Sequence, residues 1–352
     1  MIDAGKVSYL QSQTIYHALA YAKKAETPDT LVLNTPIEPY VCIGFHQSLE
    51  EEVDIGFCRS NGIPVVRRET GGGTVYLDDD QLFVQWIFEP QRLPRKTDTR
   101  FQLFIKPLAE TYKFFGIDAF FHPPNDVHVK ARKITGTGAA AIGQAEVVTG
   151  NFLFDFNNEV MAKVLRVPDE SFRKKVLESL DKYMTTMKRE LGAIPDRQEV
   201  KEVYVNKCSE ALGRKIVPGE FTDEELQMLE TLDKKFVTNE WLEQFQTNNT
   251  GYRRVKIHAG VWLYEIAFET NGGLIRMDIR TKKELIDRIS ISGELSFQPA
   301  NRLRGLEKLL RNVELSEGSL KETVEAFYEL HQIESPGIAV EDWVRAILQI
   351  RK

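Results

Sequence analysis

The sequence predicts an α+β protein, with a mixed sheet and surrounding helices followed by a small α+β C-terminal domain. In the first 157 residues or so, runs rich in β-branched and aromatic residues, such as TLVLN, YVCIGF and QLFVQWIF, alternate with segments of helical periodicity. From residue 159 to about 245 the pattern becomes helical, and strand-like runs return after that. We therefore expect helices packed on a sheet, and then a smaller unit of sheet and helix.

The individual elements follow from local patterns. SQTIYHALAYAKKAE and KPLAETYKFFGI carry apolar residues at helical spacing, and three more helices are predicted in DESFRKKVLESLDKYMTTMKREL, DRQEVKEVYVNKCSEALG and TDEELQMLETLDKKF. Later strands are predicted in VKIHAGVWLYEIAFET, LIRMDIRT and LIDRISISGELSF, with an Asn-Gly-Gly turn between the first two and two helices after the third. The polar segment QFQTNNTGYRR separates the two parts, so we expect domains of residues 1–250 and 251–352.

Composition and charge narrow the function. The chain has 352 residues, 42% of them hydrophobic, and a formal net charge of −6, which argues against sequence-independent binding to nucleic acid. Its three cysteines are far apart and form neither a disulfide framework nor a CxxC metal pattern. The N-terminal residues lack a signal peptide pattern, and no run approaches the roughly 18 apolar residues of a membrane span. We therefore expect a cytoplasmic protein without membrane or nucleic-acid partners.

The stretch VVRRETGGGTVYL places two arginines a few residues before three consecutive glycines. Three glycines weaken any regular element and leave backbone N–H groups uncovered, so these groups and a guanidinium could converge on a phosphate or carboxylate. Strand alternation directs only one of Arg67 and Arg68 to such a site. The alternative is a glycine-rich hairpin turn with two solvated arginines. The candidate anion-binding residues are Arg68, Gly71, Gly72 and Gly73.

A second stretch, PPNDVHVKARKITGTGAAAI, combines a turn with a lysine and closely spaced glycines. Lys133 begins a segment too rich in glycine and alanine to bury its charge in a packed core, so a ligand partner is plausible for it. The alternative for this residue is a solvated surface lysine. Pro-Pro-Asn-Asp is also strong turn chemistry by itself. The candidate residues of this stretch are Asn125, Asp126, Lys133, Gly136 and Gly138.

Together the two stretches resemble the catalytic core of the lipoate-protein ligase family, which is similar to the catalytic domain of biotin-protein ligases. The resemblance rests on RRETGGGTVY and NDVHVKARKITGTG, and on TGNFLFDFN after them. It extends more weakly to YVCIGFHQ and to KVLRVPDESFRKKVLESLDKYMTTM. The segment IRMDIRTKKELIDRISISGELSF resembles the small accessory domain of the family, so nearly the whole chain is covered.

This resemblance implies an enzyme that activates lipoate with ATP and Mg²⁺ to lipoyl-AMP, and then transfers the lipoyl group to a lysine of a lipoyl-carrier protein. Lys133 would contact the activated carbonyl and the phosphate, and Asn125 and Asp126 would line the nucleotide side. Asp126 is also the candidate metal ligand. Gly44 would belong to a loop near the acyl chain, although an ordinary turn glycine is an equal alternative. The residues that would hold the adenylate are Arg68, Gly71, Gly72, Gly73, Gly136 and Gly138.

Two positions depart from the family pattern. Where many ligases carry a histidine followed by aspartate after the glycine-rich turn, this chain has Leu77 before Asp78. Where many members show consecutive histidines before Gly-Thr or Gly-Ser, it has VVTGNF. A role assigned to those histidines cannot be transferred to this chain.

Three other functions remain open. An octanoyl or lipoyl transferase of the same superfamily works through a cysteine thioester without ATP and needs a reactive thiolate, whereas Cys42, Cys58 and Cys208 lie in segments where cysteines are usually buried. A biotin ligase shares the phosphate and lysine chemistry, and an inactive lipoyl-carrier-binding protein is the non-enzymatic alternative. The acceptor also stays open among dehydrogenase subunits of the pyruvate type, the glycine-cleavage carrier and other lipoyl-carrier proteins.

Overall fold

Strands dominate the first part of the chain, helices the middle, and both recur at the end. The structure is a computed structural model that describes residues 1–123, 125–167, 170–245, 254–258 and 261–351. Its strands, in chain order, are β1 (Ile2–Val7), β2 (Thr30–Pro36), β3 (Tyr40–Ile43), β4 (Val65–Arg67), β5 (Val75–Leu77), β6 (Gln81–Phe88), β7 (Ala119–His122), β8 (Asp126–Val129), β9 (Arg132–Ile142), β10 (Ala145–Leu153), β11 (Arg254–His258), β12 (Val261–Thr270), β13 (Gly273–Lys282) and β14 (Leu285–Gly293).

Most of the helices lie between residues 97 and 242. In chain order the α-helices are α1 (Gln11–Ala22), α2 (Leu49–Glu52), α3 (Ile55–Ser60), α4 (Thr97–Phe114), α5 (Asn158–Val164), α6 (Glu170–Tyr183), α7 (Met187–Leu191), α8 (Arg197–Leu212), α9 (Asp223–Phe236), α10 (Asn239–Leu242), α11 (Leu303–Leu309), α12 (Glu317–His331) and α13 (Val340–Leu348). No described helix combines the length and the apolar character that crossing a membrane requires.

The largest sheet has seven strands in the order β1-β2-β6-β10-β9-β8-β7. β1 and β2 are parallel, whereas β2, β6, β10, β9, β8 and β7 pair antiparallel with their neighbours. A separate three-stranded sheet has the order β4-β3-β5. The predicted mixed sheet is therefore confirmed.

Helices cover both faces of the seven-stranded sheet. On one face, α4 packs against α8 and contributes Phe104 and Tyr112 to a core that also contains Trp86. On the other face, α1 packs against α9, and Ile15 and Leu19 of α1 lie in a second apolar cluster. Because this sheet is buried on both faces, the predicted helix-on-sheet arrangement follows directly from the apolar periodicity of α1 and α4.

The chain divides into two compact units. One consists of Met1–Cys42, Val53–Arg67 and Val75–Trp241, and the other of Ile43–Glu52, Arg68–Thr74 and Leu242–Lys352. The second unit therefore contains the C-terminal residues together with two short segments from the first part of the chain. The expected domain boundary between residues 250 and 251 falls at 246–253, which lie outside the described residues.

The C-terminal sheet has the order β11-β12-β13-β14, and its neighbouring strands are antiparallel. Asn271 and Gly272 connect β12 to β13, as the Asn-Gly-Gly pattern predicts. Its core contains Ile275 and Ile289 from the sheet and Trp343 from α13. The small α+β domain predicted from this region is therefore present.

One predicted helix is divided in two. The sequence from residue 169 to 191 suggests a continuous helix, but α6 ends at Tyr183 and α7 begins at Met187. Between them, Met184 pairs with Lys133, and the Thr185 N–H donates to the Lys133 carbonyl oxygen at 2.9 Å. The β-branched Thr185 and Thr186 favour an extended backbone, and the Thr186 hydroxyl accepts from the Arg189 N–H to cap α7. The prediction of one helix was therefore wrong.

Candidate active site

Lys133 lies on β9 and forms an ion pair with Asp126 on the neighbouring β8. The Lys133 Nζ lies 2.8 Å from Asp126 Oδ1, and both side chains are about a quarter to a third exposed, at 35% and 25%. The lysine is therefore neither a core residue nor a fully solvated one. Its charge is held in place and remains accessible from solvent.

A β-bulge determines which face of the sheet Lys133 occupies. On β8 and β9, His128 pairs with Lys133 and Val127 pairs with Thr135, so Ile134 is an extra residue on β9. Such a bulge reverses the alternation of side chains after it. Lys133 and Gly136 consequently face the same way, and a Cβ on Gly136 would lie 3.2 Å from Lys133 Nζ. The glycine leaves the space that the lysine side chain needs.

Asn125 fixes the turn that precedes β8. Its side-chain Nδ2 donates to the Thr137 carbonyl oxygen at 2.8 Å, and the Thr137 hydroxyl donates to the Asn125 carbonyl oxygen. Asn125 is thus tied to β9 within a few residues of Lys133, and Gly138 continues the same strand into its pairing with Thr149 of β10. The turn chemistry predicted for this motif is present, and it coexists with the ion pair described above.

Two histidines beside this ion pair are not evident from the sequence motif. The rings of His122 and His128 are stacked, with centroids 4.0 Å apart and planes inclined by 11°. His128 Nε2 lies 3.8 Å from Asp126 Oδ2, and burial, reinforced by electrostatic interaction with the neighbouring His122, lowers the pKa of His128. The signal in the sequence was the pair of strands flanking Pro-Pro-Asn-Asp, whose hairpin pairing brings the two histidines to one face.

The glycine turn is organised by Arg68. The Arg68 Nη2 donates to the carbonyl oxygens of Gly71 and Gly73 at 2.8 Å each. Arg68 is half-buried, whereas its neighbour Arg67 is 0% exposed. The two arginines therefore occupy different environments, and the alternative of two solvated arginines does not hold.

Gly44 packs directly against this turn. A Cβ at position 44 would lie 2.0 Å from the Gly72 carbonyl oxygen, and Gly72 itself has a φ of +92° that favours glycine. The Gly72 N–H donates to the Leu295 carbonyl oxygen at 3.3 Å, so this amide is used within the protein. Gly71 is similarly close to Leu295, because a Cβ there would meet the Leu295 carbonyl oxygen at 2.6 Å. The glycines thus permit a tightly packed turn.

One acidic side chain, Glu294, lies beside the glycine turn, and it interacts electrostatically with a second, Glu52. A Cβ on Gly73 would lie 3.2 Å from Glu294 Oε2, and Glu52 Oε1 lies 3.4 Å from Arg276 Nε. Burial, together with the charge of Glu294, raises the pKa of Glu52 to about 7. Burial also raises the pKa of Glu294, against the effect of Arg276. A carboxyl group therefore lies beside the turn that is predicted to bind an anion. Because its pKa is raised, this group is protonated more readily than an exposed glutamate.

Leu77 stands where many members of the family carry a histidine, and Asp78 is the aspartate that follows it. Burial raises the pKa of Asp78 to about 6, and burial and the charge of Asp78 raise the pKa of Tyr76. The Asp80 N–H donates to Asp78 Oδ1 at 3.1 Å. Leu77 is 7% exposed and packs as a core residue. Leucine has no titratable group, so it cannot replace the chemistry of a histidine.

The structure collects the predicted residues into two groups, one in each compact unit. The larger unit contains the Lys133 group, and the unit with the C-terminal residues contains the glycine turn with Arg68 and Gly44. The members of the first group are Asn125, Asp126, Lys133, Gly136 and Gly138.

The described residues contain no group of three or more His, Cys, Asp or Glu side chains that could hold a metal ion. Mg²⁺ commonly takes one or two carboxylates and completes its shell with water and substrate phosphates. Asp126 supplies one such carboxylate beside Lys133. A carboxylate at this position would fit a magnesium ion that binds together with the phosphates of a nucleotide.

Known proteins resemble this chain in sequence. Residues 8–209 match the model of the lipoyl protein ligase A/B catalytic domain. The chain is 25% identical over 265 residues to octanoyltransferase LipM of Kyrpidia tusciae, covering 68% of this chain and 97% of the relative. It is 28% identical over 212 residues to lipoate-protein ligase A subunit 1 of Thermoplasma acidophilum, covering 57% of this chain and 79% of the relative.

Solved structures share the fold. A bipartite lipoate protein ligase from Thermoplasma acidophilum superposes with a TM-score of 0.64 at 24% identity, covering 71% of this chain and 98% of that one. LipL1 of P. falciparum in complex with lipoate gives a TM-score of 0.70 at 14% identity, and covers 99% of each chain. With more than half of its residues matched by the family model, this chain belongs to the lipoyl protein ligase A/B catalytic domain family.

Proposed function

We propose that the protein is an ATP-dependent lipoate-protein ligase. It would activate lipoate to lipoyl-AMP and transfer the lipoyl group to a lysine of a lipoyl-carrier protein. The family alone allows either a ligase or a transferase, so the proposal depends on what this chain offers as a nucleophile. The observation that carries it is the burial of every cysteine.

A transferase that works through a thioester needs an accessible thiolate. Cys42 and Cys208 are 0% exposed and Cys58 is 1% exposed, and these are the three cysteines of the chain. Burial raises the pKa of Cys58 to about 11 and raises that of Cys208 further. Buried thiols with raised pKa values, as at Cys58 and Cys208, stay protonated and unreactive at neutral pH, which favours activation of the acid by ATP.

The proposed reaction has two steps. A carboxylate oxygen of lipoate forms a bond to the α-phosphorus of ATP, and the bond to pyrophosphate breaks. The ε-amine of the acceptor lysine then attacks the carbonyl carbon of lipoyl-AMP, AMP leaves with the electrons of the C–O bond, and the amine loses a proton. Both steps place negative charge on oxygen, which fixed cations and N–H donors stabilise.

Lys133 and the glycine turn have the properties that these roles require. The Lys133 ammonium is oriented by Asp126 and has space over Gly136, so it suits the developing charge on the carbonyl and the phosphate. Arg68 holds the carbonyl groups of Gly71 and Gly73, which fixes the turn before a ligand binds. Mg²⁺, when bound with ATP, would neutralise phosphate charge, and Asp126 is the carboxylate that would hold it.

A second candidate is octanoyl transfer without ATP. It is favoured by the name of one relative, octanoyltransferase LipM, which this chain matches over 97% of the length of that relative. For this chain, the mechanism would require one of three buried thiols to become accessible.

Exchange of labelled pyrophosphate into ATP separates the two functions. The purified protein should catalyse this exchange only when lipoate or octanoate is present, and a variant with Cys42, Cys58 and Cys208 all changed to alanine should retain it. Transfer of an octanoyl group between carrier proteins without ATP, abolished in the same triple variant, would refute the ligase. The acceptor is then identified by incubating a panel of lipoyl-carrier proteins with lipoate and ATP and measuring the gain in mass.

A further inference from the structure

Three groups form a hydrogen-bonded chain that ends at Asn151, in the VVTGNF segment that departs from the family pattern. The Gln81 Nε2 donates to the Tyr76 carbonyl oxygen at 3.2 Å, and the Asn151 Nδ2 donates to Gln81 Oε1 at 2.8 Å. Gln81 is 0% exposed, so solvent does not compete for these bonds. Asn151 is half-buried.

The chemistry of these groups fixes the orientation of both amides. A backbone carbonyl can only accept, so Gln81 must turn its NH₂ group toward Tyr76. The Gln81 amide also donates to the Asp78 carboxylate, which needs the same orientation. The oxygen of the Gln81 amide therefore faces Asn151, and Asn151 must donate to it through its own NH₂ group. The Asn151 Oδ1 is left pointing away from Gln81 as a hydrogen-bond acceptor.

This acceptor is buried without a donor among the described residues. The Asn151 Oδ1 has almost no exposed surface and makes no hydrogen bond there. A buried unsatisfied polar atom typically costs about 1–3 kcal/mol, and its presence in a folded protein usually has a reason. Since the relay from Tyr76 fixes this oxygen in one orientation, we expect a donor on a substrate to complete it.

The same face of the sheet carries Asn151 and the ammonium group of Lys133. A Cβ on Gly150 would touch Phe104 of α4 at 3.1 Å and Thr137 at 3.3 Å, so Gly150 and Thr137 both face α4. Their neighbours in the two strands, Asn151 and Gly136, therefore face the opposite way. Gly150 pairs with Thr137 of β9, and the Thr135 hydroxyl donates to the Asn151 carbonyl oxygen at 2.8 Å, so Asn151 lies alongside the part of β9 that contains Gly136.

Directly opposed residues in neighbouring strands have Cβ atoms about 5 Å apart. The Lys133 Nζ lies 3.2 Å from the Cβ position of Gly136. The acceptor oxygen of Asn151 and the ammonium that the proposed function assigns to the activated carbonyl therefore belong to adjacent strands and to the same face of the sheet. A hydrogen-bond donor that approaches this carbonyl would meet Asn151.

We propose that Asn151 positions the acceptor lysine for attack, by accepting a hydrogen bond from its neutral ε-amine through Oδ1. The inference rests on the proposed ligase function. Lipoate supplies no N–H or O–H donor as a carboxylate, and the ribose hydroxyls and adenine amine of ATP are separated from the reacting carbonyl by the α-phosphate, whereas the acceptor amine must reach the carbonyl carbon. Accepting one N–H bond leaves the lone pair of the nitrogen free to form the new C–N bond. Asn151 is therefore a positioning residue for the second step and not for adenylation.

The test separates the two half-reactions in the full-length protein. Replacement of Asn151→Leu keeps the size of the side chain and removes the acceptor. We expect lipoate-dependent ATP–pyrophosphate exchange to stay within about twofold of wild type, and transfer from pre-made lipoyl-AMP to a carrier protein to fall about tenfold or more through kcat, since an oriented hydrogen bond accounts for roughly that factor. The matched control is Asn206→Leu, the same exchange at an exposed position of α8, which should leave both rates unchanged.

Hydroxylamine at high concentration distinguishes a loss of positioning from a loss of folding. With lipoate and ATP in place of pre-made lipoyl-AMP, hydroxylamine traps the adenylate that the folded protein forms, so the Asn151→Leu protein should still release AMP to it at the wild-type rate. Equal losses with hydroxylamine and carrier, a loss confined to adenylation, or unchanged transfer to the carrier would each overturn the assignment. Absence of pyrophosphate exchange in the wild type would instead refute the ligase function itself.

Discussion

Gly44 and Gly72 approach so closely that no side chain fits between them, because a Cβ at position 44 would lie 2.0 Å from the Gly72 carbonyl oxygen. In the Gly44→Ala protein the glycine turn must move, and the contacts of Arg68 with Gly71 and Gly73 must change with it. We expect the affinity for lipoate, measured by calorimetry, to fall about tenfold or more, since a misplaced binding loop typically has an effect of this size.

A glycine elsewhere in the same unit provides the control. Gly318 lies in α12, and a Cβ there would meet nothing within 4 Å. The Gly318→Ala protein should bind lipoate like the wild type. If Gly44→Ala also binds normally, the glycine turn is not part of the lipoate site.

Sequence patterns predicted the general fold well, because apolar periodicity determines which face of a helix or strand is buried. They could not predict the break between α6 and α7, since its cause is the pairing of Met184 with Lys133 far away in the chain. They also could not predict that Ile134 is an extra residue, because a bulge depends on the register of the partner strand. The positions of Lys133 and Gly136 relative to Asn151 follow from that register.

Gly44 shows the same limit for the glycine turn. The sequence offered only a weak resemblance around YVCIGFHQ, and an ordinary turn glycine was an equal alternative. The close approach to Gly72 comes from a chain segment 28 residues away and is visible only after folding. Local motifs therefore identified candidate residues, whereas their mutual distances required the structure.

Lys133 should be essential for adenylation. The Lys133→Met protein retains the aliphatic stem and loses the cation that faces Asp126. Loss of one stabilising contact of this kind typically costs on the order of 10²-fold or more in rate. We expect lipoate-dependent pyrophosphate exchange to fall by at least this factor.

Lys130, in the turn between β8 and β9, is exposed and gives the matched comparison. Lys130→Met should leave exchange within about twofold of the wild type, because a solvated charge contributes little. Similar activity in the two variants would remove Lys133 from the proposed mechanism.

Glu52 makes stability depend on pH. Burial and the charge of Glu294 raise its pKa to about 7 in the folded protein, above the ordinary glutamate value of 4.5. The folded state then holds a proton that the unfolded state has released, so the free energy of unfolding falls as pH rises from about 4.5 to about 7, by up to roughly 3 kcal/mol in that window. Above pH 7 this effect is complete.

The Glu52→Gln protein stays neutral and should lose this dependence. Urea unfolding at pH 5 and pH 8 measures the change, and the difference between the two pH values should be smaller in the variant than in the wild type. Arg276 loses its partner in the variant, so the slope with pH is the informative quantity. Glu317→Gln, at an exposed position in α12, should follow the wild type, and an unchanged slope for Glu52→Gln would contradict the assignment.

Glu294 places a carboxylate beside the turn at which the anionic adenylate is proposed to bind. A Cβ on Gly73 would lie 3.2 Å from its Oε2, so the charge of Glu294 opposes that of a bound phosphate. The Glu294→Gln change keeps the shape and removes the charge. We expect the affinity for a non-hydrolysable lipoyl-AMP analogue that keeps its phosphate to rise about fivefold at pH 8, as for a partly screened repulsion between two like charges.

Burial raises the pKa of Glu294, so the wild type should bind more tightly as pH falls, and the advantage of the variant should shrink. Glu314→Gln, at an exposed position of the same unit, should have no such effect. Equal or weaker binding by the Glu294→Gln protein at pH 8 would show that the analogue does not bind beside Gly73.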